Sequence, residues 1–260
     1  MLAGGVLYQG KKGDGDTQEA MILLEWCSGG CLSDFLAKNP PQGGLEGEMD
    51  VVSKFLQVCC GVAYMHDRSP PIQHRDLKPD NVLLADGGTV KLCDFGSAST
   101  VAQVYETDQE MAEMEEIIER TTTPTIRPPE MCDLLLRRRI DEKVDIWGLG
   151  CLLYALCFGT LPFTGEKLAI LNVAYRQPEE YEQQYSEQLL HLLARTLSEL
   201  PEDRPEAKEL CEILEKMLDD LEGQLFDGSA EQKEQPTPHY HAEDAYEEAN
   251  GMDIPAKEDN

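Results

Sequence analysis

Basic residues are scarce in this 260-residue chain: 22 Lys and Arg stand against 50 Asp and Glu, a formal net charge of −28. Phosphate backbones are bound by clustered Lys and Arg, so this balance argues against nucleic acid as a partner. It weakly favours partners with basic patches. No apolar run approaches the ~18 residues of a membrane span, and Met1–Gly15 lacks the basic flank and apolar stretch of a secretory signal. The nine cysteines form no C-x-x-C pair and no Cys/His zinc spacing. Most lie within apolar stretches, as buried free thiols in a reducing compartment do. Internal repeats are absent. The early glycines Gly4, Gly5, Gly10, Gly13 and Gly15 never reach G-x-G-x-x-G spacing, and no lysine falls between Gly15 and Glu25. They read as a polar turn, not a phosphate cradle.

At 41% hydrophobic, the chain can bury a sizeable core. Val6-Leu7-Tyr8 and Met21-Ile22-Leu23-Leu24 read as short strands around the polar turn. Ser33 is placed to cap a short helix through Phe35 and Leu36, which Asn39-Pro40-Pro41 ends. Helical spacing of Val51/Val52, Phe55/Leu56, Cys59, Val62 and Met65/His66 predicts a buried helix over Met49–His66. Val82–Leu84 and Thr89–Leu92 flank Asp86-Gly87-Gly88 as a hairpin. Val144–Phe158 has little polar face, so it should be a buried helix. Shorter helices are expected over Glu166–Val173, Ser186–Thr196 and Glu206–Asp220. Residues 222–260 hold 11 acidic and 2 basic residues and read as a disordered tail. They carry −9 of the net charge, leaving −19 on the rest.

The chemistry sits in His74-Arg75-Asp76-Leu77-Lys78-Pro79-Asp80-Asn81, followed by Asp94-Phe95-Gly96. The first run puts a carboxylate, an ammonium and an amide on one loop, and the second adds a carboxylate 18 residues after Asp76. Phosphoryl transfer from ATP needs this set: an acceptor for the hydroxyl proton, positive charge for the γ-phosphate, and oxygen ligands for Mg²⁺. The hairpin between the runs would hold Asn81 and Asp94 close together.

With Thr123-Pro124, Pro128-Pro129-Glu130, Asp145-Ile146-Trp147-Gly148 and Glu202-Asp203-Arg204-Pro205, residues 21–221 resemble the large lobe of a serine/threonine protein kinase. The fold class this implies is α+β: a mostly helical C-terminal lobe (residues 28–221) with a remnant of the N-terminal β lobe (residues 1–27). Carried over residue by residue, Asp76 is the catalytic base, Lys78 neutralises the γ-phosphate, and Asn81 and Asp94 are magnesium ligands. Thr123 contacts base and lysine. His74 packs under Phe95, Glu130 pairs with Arg204 as a buried structural ion pair, and Asp145 braces the catalytic-loop backbone. The ATP-binding set is Leu24, Glu25, Cys27, Lys78, Asn81, Leu83 and Asp94. Within it, Leu24 lines the adenine pocket, while the Glu25 carbonyl and Cys27 N–H bond the base. Pro128 departs from the family's alanine. Lys91–Ser99, Thr121–Glu130 and Pro70–His74 look like the Numb-associated kinases, nearest the cyclin-G-associated and adaptor-associated members. That family has an extra activation-segment helix, which Gln109–Arg120 fits. The resemblance implies ATP and Mg²⁺ as cofactors and a cytoplasmic role in clathrin-coated vesicle traffic, peripheral on vesicles or plasma membrane. The acceptor would be a Ser/Thr hydroxyl, with threonine on clathrin adaptor medium subunits as the substrate.

Other residues keep two readings. Arg75 either binds a phosphorylated activation loop or pairs with a local carboxylate. Thr121 and Thr122 are phosphosites or plain loop residues. Cys93 is a packed thiol in preference to a reactive one, Gly29-Gly30 a turn, and Arg137-Arg138-Arg139 a solvated face in preference to a dock for acidic partners or anionic lipid. The parent protein is expected to be a kinase, the alternative being a non-catalytic pseudokinase-like scaffold. The chain itself, beginning partway through the small lobe, is expected to have negligible activity.

Overall fold

The computed structural model describes residues 7–11, 18–22, 24–181 and 183–231. Val6, Leu23 and residues 232–260 of the acidic segment lie outside the described residues. An antiparallel pair comes first, β1 (Leu7–Lys11) on β2 (Gln18–Ile22), with Leu7 opposite Ile22. The strands run a few residues later and earlier than expected, respectively. From Leu32 the chain is mostly helical: α1 (Leu32–Lys38), α2 (Gly44–His66), α3 (Asp108–Thr121), α4 (Pro129–Cys132), α5 (Lys143–Phe158), α6 (Lys167–Leu171), α7 (Glu187–Thr196) and α8 (Ala207–Glu231). A second antiparallel pair, β3 (Val82–Leu84) and β4 (Val90–Leu92), turns at Asp86–Gly88. Gly87 and Gly88 there take φ of 73° and 78°, which favours glycine.

Several boundaries correct the expectations. Cys31, not Ser33, is the N-cap of α1, without a side-chain capping bond. Ser33 Oγ donates instead to Asp80 Oδ1 at 3.2 Å. α2 starts at Gly44, five residues before Met49. The extra turn has a tertiary cause: buried Glu48 accepts from Ser186 N–H at 2.6 Å and from its hydroxyl. Ser186 is in turn the N-cap of α7, accepting from Leu189 N–H at 3.2 Å. α6 is shorter than expected. The compact body ends at Glu222, and residues 223–260 form a separate unit. α8 continues to Glu231, so residues 222–231 are helical and not the disordered chain their composition suggested.

α5 is the centre of the body, every residue from Val144 to Phe158 being buried. A Cβ on Gly148 would stand 3.0 Å from the Leu77 Cβ, so glycine there lets the loop before β3 rest on the helix. α3 makes a second core, with Met111, Met114 and Ile118 against Tyr105, Met131, Leu134, Ile140 and Val144. Its start is a capping box: Thr107 Oγ1 accepts from Glu110 N–H at 3.2 Å, and the Glu110 carboxylate accepts from Thr107 N–H at 3.0 Å.

Candidate active site

The loop before β3 is pinned to α5 by one carboxylate. Asp145, in the first turn of α5 and buried, accepts from His74 N–H at 2.7 Å and Arg75 N–H at 2.8 Å. Its Oδ2 also lies 2.9 Å from His66 Nε2, at the end of α2. Arg75 takes a left-handed φ of 67°. Non-glycine residues hold such a conformation only when their surroundings impose it, and the bonds to Asp145 do so. His74 Nε2 faces the Cys93 carbonyl at 3.0 Å. A carbonyl only accepts, so Nε2 carries the proton and Nδ1 accepts from Asp76 N–H at 3.4 Å. The ring packs against Phe95 at a tilt of 52°, with centroids 5.0 Å apart.

Asp76 is the focus of the site. Its Oδ1 accepts from Thr123 N–H at 3.1 Å; its Oδ2 receives Lys78 Nζ at 3.0 Å and Asn81 Nδ2 at 2.9 Å. Lys78 Nζ also donates to Thr123 Oγ1 at 2.7 Å, and Asn81 Nδ2 to the Asp76 carbonyl at 2.8 Å. A carboxylate offers about four acceptor positions, so three donors orient Asp76 and leave room for one more. Burial alone would raise its pKa. The bonds from Thr123, Lys78 and Asn81, with the Lys78 charge, outweigh burial and hold the carboxyl below its usual range. The group is therefore an anion at neutral pH.

The second run is brought alongside by the hairpin. Cys93 N–H donates to the Asn81 carbonyl at 3.0 Å, and Val82 pairs with Leu92. Asp94 follows at a φ of 60°, accepting from Gly96 N–H at 3.2 Å. Asp76, Lys78, Asn81 and Asp94 thus share one end of β3–β4. The donor set fits Mg²⁺. With its amide nitrogen turned to Asp76, Asn81 has its Oδ1 for a cation, and the exposed Asp94 adds a carboxylate. Magnesium takes one or two such protein oxygens and completes its octahedron with phosphate oxygens and water.

Leu24, Glu25 and Cys27 lie in chain without regular secondary structure, beside the same hairpin. Glu25 pairs with Lys91 of β4 at 2.5 Å, Cys31 bridges to Leu83, and Gly29 N–H donates to the Leu84 carbonyl at 2.9 Å. A Cβ on Gly29 would stand 2.8 Å from Leu84 atoms, so the close turn requires glycine. Leu24 is 70% exposed. Burial and the neighbouring Asp94, Cys27 and Cys31 raise the Cys93 thiol, which makes it a poor nucleophile.

Arg75 departs from the local-carboxylate reading. Its guanidinium donates to Gln73 Oε1 and the Val101 carbonyl, each at 2.8 Å, and not to a carboxylate. It borders a cavity of about 380 Å³ that Val101, Tyr105, Glu110 and Ile117 also line. Thr121 donates to the Ile117 carbonyl at 2.7 Å. Thr122 is buried, donating to the Ile118 carbonyl at 2.7 Å and accepting from Arg127 Nε at 2.9 Å. It is the end of a helix, not an open loop. Glu130 and Arg204 meet as a buried two-pronged pair at 2.6 and 2.8 Å.

Sequence reasoning missed His66 and Gln73. In sequence His66 is only a packing position at the end of the buried helix over Met49–His66. Gln73, wholly buried, supports Arg75 and donates to the Val101 carbonyl at 3.0 Å. A glutamine just before the charged loop was the only local signal for it.

A buried carboxylate bonded by a lysine and a threonine, beside an Asn and an Asp whose oxygens fit a hard cation, is the kind of arrangement a phosphotransferase domain uses. Residues 11–214 match the protein kinase domain, and the chain belongs to that family. A probable serine/threonine-protein kinase of Dictyostelium discoideum is 40% identical over 211 residues, 80% of this chain and 19% of that protein. Actin-regulating kinase PRK1 of Saccharomyces cerevisiae is 38% identical over 207 residues, 78% of this chain and 24% of its own length. Serine/threonine-protein kinase ppk30 of Schizosaccharomyces pombe is 40% identical over 200 residues, 76% and 20% respectively. The chain thus spans about a fifth to a quarter of the length of these relatives.

Proposed function

We propose that these residues belong to a serine/threonine protein kinase that transfers the γ-phosphoryl group of ATP to a protein hydroxyl. The observation that carries this is the closed set of bonds joining Asp76, Lys78, Thr123 and Asn81. Asp76 accepts the hydroxyl's hydrogen bond through its remaining acceptor position and takes the proton as the oxygen attacks. Lys78 sits between Asp76 and Thr123, where its charge meets the transferred phosphoryl oxygens. Asn81 and Asp94 would hold magnesium, and the Glu25 carbonyl and Cys27 N–H would bond adenine beside Leu24 and Leu83. Mg²⁺–ATP supplies the phosphoryl group and the charge that offsets its transfer. A non-catalytic scaffold has no use for base, lysine and cation ligands oriented together.

A placement among the Numb-associated kinases rests on the motif likenesses and on α3, the helix within the activation segment. A relative named for regulating actin is compatible with it. On that placement the protein is cytoplasmic, peripheral on coated vesicles, and phosphorylates threonine on clathrin adaptor medium subunits.

The test is Mg²⁺-dependent phosphorylation of a threonine peptide by the complete gene product, with Asp76→Asn beside it. Loss of general-base catalysis should cost at least ~10²-fold in kcat, and a near-parent rate overturns the assignment. Residues 1–260 carry no G-x-G-x-x-G spacing and no lysine between Gly15 and Glu25 to clamp the phosphates. That polypeptide is therefore expected to transfer negligible phosphate, and measurable transfer refutes this second expectation alone.

A further inference from the structure

Leu135 and Leu168 are each 74% exposed, and Leu136 is 40% exposed. Single exposed leucines are ordinary, but these three lie on two segments joined by one ion pair. Lys167 Nζ, at the start of α6, meets Asp133 Oδ2 at 3.7 Å. Asp133 caps the 3-10 turn Leu134–Leu136, accepting from Leu135 N–H at 3.2 Å. Buried Leu134 roots that turn in the α3 core, while the next two leucines meet solvent.

Charge distinguishes the place. Arg137-Arg138-Arg139 follows the turn and is the one run of three basic residues in a chain of net charge −28. Arg138 is taken up by Glu199 at 2.6 Å, which fastens the run to the body. Arg137 is exposed, Arg139 has 57% of its side chain exposed while touching Asp141 at 3.4 Å, and Lys167 has 55%. Glu166 is the exposed acid next to Lys167. Three solvent-facing cations thus rim the exposed leucines.

We propose that the turn Leu134–Leu136, the arginine run and the start of α6 form a docking surface for an acidic protein segment carrying aliphatic side chains. The leucines provide apolar contact and the cations provide orientation. A second copy and an anionic membrane are the competing occupants, and the test below separates them. The surface does not rest on the phosphoryl-transfer reading, since its occupancy is measured without ATP.

Fluorescence anisotropy of residues 1–260 tests it with a fluorescein-labelled dodecapeptide of Asp and Glu around a central Leu-Leu pair. Peptides with Ser-Ser at the centre, or with Lys for every acid, are the controls. The acidic leucine peptide should bind about tenfold or more tightly than either, ~1.4 kcal/mol by the affinity relation, and weaken with salt. The pairs Leu135→Ser with Leu168→Ser, and Arg137→Glu with Arg139→Glu, should each remove that preference while keeping the parent's urea midpoint. Equal binding of all three peptides overturns the proposal, as does undiminished binding by either double variant. Two further results also overturn it: a dimer in sedimentation that the leucine variant abolishes, or flotation with phosphatidylcholine–phosphatidylserine vesicles that the leucine variant abolishes.

Discussion

Arg204→Met should cost this domain a large share of its stability, for reasons that can be counted atom by atom. A guanidinium has five N–H donors, and here each has an acceptor. Two go to Glu130 at 2.6 and 2.8 Å, and the others to the carbonyls of Ser198 (2.9 Å), Lys143 (3.0 Å) and Glu199 (3.3 Å). Both charged side chains are 0% exposed, and the guanidinium lies 5.2 Å from the Trp147 ring centroid. Methionine fills much of the volume but leaves Glu130 as a buried, unpaired carboxylate, which costs about 3–5 kcal/mol. Three carbonyls also lose a donor worth about 1 kcal/mol each, though neighbours sharing one network do not add fully. A total of about 4–6 kcal/mol compares with a domain stability of about 5–15 kcal/mol. In urea the midpoint should fall by roughly 1.3 M or more, taking a slope of about 1–3 kcal/mol per M. The double variant Glu130→Leu with Arg204→Met removes the stranded charge and should recover about half of the loss or more. A single-variant midpoint within about 0.5 M of the parent would refute the reasoning, as would a double variant no more stable than the single one.

Asp145→Asn replaces an acceptor with a donor opposite the N–H groups of His74 and Arg75; hydrogen exchange over residues 72–78 should accelerate about tenfold or more, and unchanged protection contradicts the bracing role. For Asp76, the folded-state pKa is depressed, so its stabilisation is present above the unfolded value of about 3.9 and is lost as pH falls through the folded value. Asp76→Asn should therefore flatten the acid limb of the urea-midpoint profile below about pH 4, and a variant keeping the parent's slope there rules the linkage out. Cys60 is exposed, whereas burial raises the pKa of the Cys59, Cys151 and Cys157 thiols. Maleimide followed by mass spectrometry should modify Cys60 first and the buried three only on unfolding; early labelling at Cys151 or Cys157 in the folded domain counts against this packing.

What was legible in the sequence follows from where the information lies. α5 announced itself because fifteen successive buried residues leave no polar face to confuse the pattern. The β3–β4 hairpin was legible for the opposite reason, a glycine turn between two short apolar runs. Boundaries failed where the cause is distant. The first turn of α2 depends on Glu48 meeting Ser186, 138 residues along the chain. Neither segment alone carries a sign of the other. Ser33 was the natural cap by residue type, but Asp80 competes for its hydroxyl.

The site divides in the same way. Asp76, Lys78 and Asn81 lie within six residues, so their spacing could be read directly. The frame around them could not. Arg75's left-handed backbone, Gln73's double role and the His66 contact arise only when α2, the loop and α5 meet. That frame matters because an oriented base accelerates a reaction only if its geometry exists before the substrate arrives. α5 holds the loop at two points one turn apart: Asp145 catches the N–H groups of His74 and Arg75, and Gly148 leaves room for Leu77. Polar bonds set the loop's register while close packing sets its depth. Either hold alone would let Asp76 turn away from Lys78 and Thr123. A nearly all-apolar helix therefore does more than fill the core, because its one buried carboxylate and its one gap fix where the charged loop can lie.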